Sequence, residues 1–140
     1  MSALSALDPP EALVCTMVLV AAADGGMTDR EIGVMSAQVQ SLPVFRDFTS
    51  VRLAAASDTA VRLLDETNGL DHAARLIRGA LGPKLRETAY ALACEVAAAD
   101  TIEQPETREI LAFVRDALHL DPMVAAAIER GVRARYQTAG

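Results

Sequence analysis

Tryptophan is absent from this chain, and the aromatic residues together make up only 4% of it. With 51% of residues hydrophobic, the core must be filled by Ala, Leu, Val, Ile and Met, side chains that suit closely packed helices. Runs with the apolar-polar alternation of a β-strand are missing at any useful length. The apolar stretch from Ala12 to Ala23 falls well short of the roughly 20 residues that a helix needs to cross a bilayer. The opening MSALSALDPP lacks the basic start of a secretory signal. These absences lead to an expectation of a cytoplasmic protein without membrane insertion.

Cysteine is scarce. Cys15 and Cys94 sit inside apolar helical runs without CxxC spacing, which fits buried thiols in a reducing compartment and not a disulfide framework. Basic residues are outnumbered thirteen to nineteen, for a net charge of −6 and a pI near 4.8, which opposes attraction to phosphate backbones and excludes nucleic acid as an expected partner. His72 and His119 lie far apart with no His or Cys at ligand spacing, so no zinc site is expected. G-x-S-x-G, P-loop, GxGxxG and HExxH signatures are all missing. A catalytic reading therefore has only the acidic residues to rest on.

What is present is helical punctuation. A length of 140 residues corresponds to one domain, 1–140. Asp8 followed by Pro9-Pro10 reads as an N-cap and the first helical turn, opening a helix that is apolar nearly all round through Leu13, Met17 and Val20. It stops at Asp24-Gly25-Gly26. Thr28-Asp29-Arg30-Glu31 has the spacing of a capping box and starts a second helix to about Val39. Ser41-Leu42-Pro43 breaks it. The run from about Phe45 to Glu66 reads as one or two helices, with Ser57-Asp58 as the candidate interruption and Thr67-Asn68-Gly69 as the end. Asp71 is placed to cap a short helix to Leu81, Gly82-Pro83 punctuates, and a long helix carrying Leu85, Leu92 and Val96 runs to Asp100. Pro105 starts the next helix, and Asp121-Pro122 repeats the opening device before the last one. The expectation is an all-α compact bundle of about six to eight helices.

The most informative feature is internal. Val20-Ala21-Ala22-Ala23-Asp24 recurs as Val96-Ala97-Ala98-Ala99-Asp100, seventy-six residues on, each time closing an apolar helix ahead of a short loop and another helix. The repeat units span about 13–40 and 85–118. The pattern apolar-Ala-Ala-Asp-Gly-x-Met-Thr-x-x-Glu-Ile with its later, degenerate copy resembles the TerB tellurite-resistance family over about Leu13 to Leu120. That resemblance implies two helix-loop-helix units joined in one helical bundle, a link to tellurite and general stress resistance, and acidic loops that bind divalent ions, calcium among them. The second loop departs from the family pattern, reading Asp100-Thr101-Ile102-Glu103-Gln104-Pro105 with no glycine.

Asp24 and Asp100 follow helix C-termini, where the negative end of the macrodipole disfavours a carboxylate by a few tenths of a kcal/mol or more. Hydrogen bonds from loop amides or from the next helix's start offset this in one reading, and a bound cation does so in the other. Ca²⁺ takes about six to eight oxygens, more than Asp24, Asp29 and Glu31 supply, and the loop lacks EF-hand spacing. If the two units pack about a pseudo-twofold axis, Asp100, Glu103 and Glu106 complete an oxygen-rich site for Ca²⁺ or Mg²⁺. Glu31 equally serves as the capping-box partner, and Asp29 and Glu106 as complements to the positive ends of their helices.

Elsewhere, Arg130, Arg133 and Arg135 form a basic cluster near the chain end, suited either to a protein partner or to the C-terminal end of the helix dipole. Phe45 and Phe48 read either as core or as an exposed docking anchor. The reading as a whole is a small non-catalytic stress-response module that binds a divalent metal ion, a protein partner or both through its acidic loops. Its alternatives are a metal-dependent hydrolase using those loops, and purely structural acids on a docking module.

Overall fold

The computed structural model describes residues 6–23, 25–99 and 104–140. Among the described residues it is all-helical: α1 Pro9–Ala22, α2 Asp29–Ser41, a single 3-10 turn Pro43–Phe45, α3 Ser50–Leu64, α4 Gly69–Ala80, α5 Pro83–Ala98, α6 Pro105–Ala117 and α7 Pro122–Arg135.

Four of the seven α-helices begin on proline, where the missing N–H is one that no helix satisfies internally. Asp8 and Thr28 each close a full capping box. Asp8 Oδ1 accepts from the Glu11 amide and Glu11 Oε1 from the Asp8 amide, both at 2.9 Å, while Thr28 and Glu31 exchange the same pair of bonds. Asp121 caps α7 through the Met123 amide at 2.8 Å. Helix ends are closed by arginines. Arg86 donates to the carbonyls of Leu81 and Arg78 beyond and within the last turn of α4, and Arg78 to that of Ala117 in α6.

α1 is the central element. Every residue from Ala12 to Ala21 is buried, and α1 packs most closely on α5 and α3, then on α4. α7 packs on α5, so the packed order across the molecule is α3, α1, α5, α7. The cross-packing is reciprocal: α2 touches α5, and α6 touches α1. α5 and α7 run in the same direction, because Tyr90 meets Glu129 and, further along both helices, Glu95 meets Tyr136.

The duplication is visible in the helix bounds. α2 and α6 start at 29 and 105 and end at 41 and 117, the same seventy-six residues apart as the two Ala-Ala-Ala-Asp segments. The C-caps of α1 and α5 also match: Ala23 has φ −63° and ψ −30°, Ala99 has φ −63° and ψ −29°, and their amides donate to Val20 and Val96 respectively.

Three local expectations need correction. Ser57-Asp58 does not interrupt α3, because Ser57 is only half-buried, Asp58 is exposed, and Ala56 and Ala60 on the inner face hold the helix to the core. Nor do residues 45–49 belong to that helix: Phe45 ends the 3-10 turn, Asp47 takes a positive φ of 67°, and Thr49 caps α3. Finally, Asp71 lies inside α4, which begins at Gly69 behind Asn68 in the left-handed conformation, φ 58°. A polar residue that tolerates that conformation takes the place of a side-chain cap.

Candidate functional site

The two elbows, between α1 and α2 and between α5 and α6, carry the acidic residues in question. Asp24, Asp100 and Glu103 lie outside the described residues. The other three divide by role. Glu31 is 2% exposed, its Oε1 accepting from the Thr28 amide at 2.7 Å while its own amide donates to Thr28 Oγ1 at 3.1 Å. Asp29 and Glu106 are exposed in the first turns of α2 and α6, where their charge complements the positive helix end. Among the described residues no group of three or more His, Cys, Asp or Glu is arranged to hold a metal ion.

At the first elbow the Gly25 amide bonds Ala22 O at 3.2 Å and Gly25 adopts φ 110°, a conformation that L side chains rarely take. Glycine is thus required for the path of that turn.

The basic cluster separates. Arg135 is committed, its Nε 2.9 Å from Oε1 of Glu95, whereas Arg130 and Arg133 are exposed on α7. Phe45 and Phe48 are both buried, with centroids 5.5 Å apart, and the Arg52 guanidinium lies 4.5 Å above the Phe48 ring. The reading of these rings as a docking anchor is therefore excluded. Arg52 also bonds Asp8 at 2.9 Å, tying the start of α3 to the start of α1.

Both tyrosines of the chain donate to carboxylates, which sequence reasoning missed. Tyr90, fully buried, donates to Glu129 Oε2 in a short bond, and Arg115 stands 3.6 Å from the same oxygen. Tyr136 Oη donates to Glu95 Oε2 at 2.7 Å. Burial first, and then the bonded carboxylate, raises both phenols: Tyr136 to about 12 and Tyr90 well above the usual tyrosine range. The contacts join positions 39 and 41 residues apart, and a tyrosine in an apolar helix is their only trace in the sequence. These pairs fasten α7 to α5 and leave no buried side-chain polar atom unpaired among the described residues.

Burial raises Cys15 and Cys94 to about 12, so both thiols stay protonated and unreactive near neutral pH. The two most distinct clefts are narrow and apolar, between α1 and α3 and between α1, α4 and α6, each with a volume of about 10 Å³, enough for one water. Neither suits an organic substrate. No helix among the described residues is long and apolar enough to cross a membrane.

Fold and elbows together define a class, the all-α bundle built on a duplicated helix-elbow-helix with acids at each elbow. Over residues 10–130 the chain matches the family described as tellurite resistance protein TerB, and it belongs to that family. No curated protein and no solved structure matches it.

Proposed function

We propose that this TerB-family protein is a non-catalytic module of tellurite and stress resistance that binds a divalent cation at its acidic elbows, with Asp24 and Asp100 as principal ligands. Asp29, Glu31, Glu103 and Glu106 supply or orient the remaining oxygens. The observation that carries the reading is the matched departure of the two elbows, with Ala23 and Ala99 in the same conformation. Each helix then delivers its next residue, an aspartate, to a C-terminus whose dipole disfavours negative charge. A cation offsets that cost, and carboxylates are the ligands that Ca²⁺ and Mg²⁺ prefer. The narrowness of the two clefts favours ion binding over hydrolysis of an organic substrate.

Calorimetric titration of chelator-stripped protein with Ca²⁺, Mg²⁺ and Mn²⁺ tests this. Binding heat is expected for at least one ion, with a rise in stability of about 2.7 kcal/mol at a hundredfold excess over Kd. Asp24→Asn and Asp100→Asn should each weaken binding at least tenfold. Absence of heat with all three ions would remove the cation reading.

A further inference from the structure

α3 and α7 occupy the same place in the two repeats: each packs on the outer side of its repeat's first helix, and they begin seventy-two residues apart, at 50 and 122. At that offset their inner faces correspond, Leu53, Ala56 and Ala60 with Ala125, Ile128 and Val132. Their outer faces correspond as well. Val51, Ala54, Ala55 and Asp58 on α3 are all exposed, and so are Met123, Ala126, Ala127 and Arg130 on α7. The leading residue is the most exposed large apolar side chain of each helix, 77% for Val51 and 82% for Met123. A solvated helix face does not ordinarily lead with such a side chain and follow it with two alanines on the same stripe.

The one marked difference between the faces is the sign of charge in the same register, Asp58 on α3 and Arg130 on α7, and neither has an ion-pair partner among the described residues. We infer that these faces bind each other between copies of this chain, α3 of one copy lying parallel to α7 of the next. Val51 then lies beside Met123, the alanine pairs let the backbones approach, and Asp58 meets Arg130. Two α3 faces would oppose Asp58 to Asp58 and two α7 faces Arg130 to Arg130, so the charges select the mixed pairing. Because α3 and α7 lie on opposite flanks of the α1–α5 pair, the contact is head-to-tail and continues beyond a dimer. One helix face from each copy buries less than a stable dimer requires, so the association is weak and depends on concentration.

Sedimentation equilibrium across a concentration series tests the pairing. The mass-average should rise from the 14.8 kDa monomer past the dimer without a plateau. Asp58→Arg and Arg130→Asp, both at solvent-exposed sites, should each remain monomeric alone while keeping wild-type helix content. Mixed in equal amounts they should assemble again, since both junctions then carry opposite charges, and the double variant should assemble by itself. Wild-type protein monomeric at millimolar concentration would overturn the inference and leave these faces to a different partner. Single variants that assemble like wild type, or a mixture that stays monomeric, would overturn it too.

Discussion

At the residue scale, the carboxylates that matter most to the fold are not the ones the sequence advertises. Glu95, 7% exposed, gathers the Tyr136 hydroxyl and the Arg135 guanidinium from the last turn of α7 and the residue after it. A buried acceptor is costly to leave unmet, so Tyr136→Phe should lower stability by about 1 kcal/mol even though Arg135 still pairs with Glu95. Its pH dependence is more specific. Below pH 10 the phenol is protonated in the folded and the unfolded chain alike. Between about 10 and 12 the unfolded chain loses that proton and the folded one holds it, so stability falls across this window. Tyr90 acts in the same direction and remains in the variant. Chemical denaturation at pH 8 and at pH 11 should therefore show a smaller alkaline loss for Tyr136→Phe than for wild type, and an equal loss would disprove the coupling.

At the element scale, Gly69 illustrates what periodicity does not convey. It is buried at the start of α4, and a Cβ there would drive into the Leu63 carbonyl oxygen, a main-chain atom with no room to yield. Gly69→Ala should cost more than about 2 kcal/mol despite improving helix propensity, measured by urea denaturation. A neutral or stabilising result would show that the turn between α3 and α4 relaxes freely. Sequence punctuation identified the cap and proline starts of α1, α2 and α7 because those signals are local, each acting within three or four residues. It misplaced the junctions around Phe45 and Asn68, where positive-φ residues and packing against the core decide the path. Likewise Ser57-Asp58 carries breaker residues on the outer part of α3 while the inner alanines keep the helix whole. At the elbows, the Thr28–Glu31 box and the repeat spacing were legible for the same local reason. The pairings of Tyr90 and Tyr136 were not, since nothing nearby in the chain announces a partner some forty residues distant.

At the scale of the whole molecule, the duplication does not produce two independent halves. α1, from the first repeat, is buried along ten consecutive residues and leans on α5 of the second more closely than on any other helix, while α2 and α6 each reach across to the opposite repeat. A defect in α1 should therefore be felt throughout. Met17 is fully buried, and Met17→Ala should cost about 2–5 kcal/mol by removing its packing and leaving a void. The absence of tryptophan makes the test clean, because intrinsic fluorescence comes from Tyr90 and Tyr136, both within the second repeat's helices or at their end. Helix circular dichroism reports the entire chain. In the variant, both signals should shift to lower denaturant by the same amount and remain coincident, as a single cooperative transition requires. If tyrosine fluorescence kept its wild-type midpoint while the dichroism moved, the second repeat would be folding alone, and the central α1–α5 packing would not be what unites the molecule.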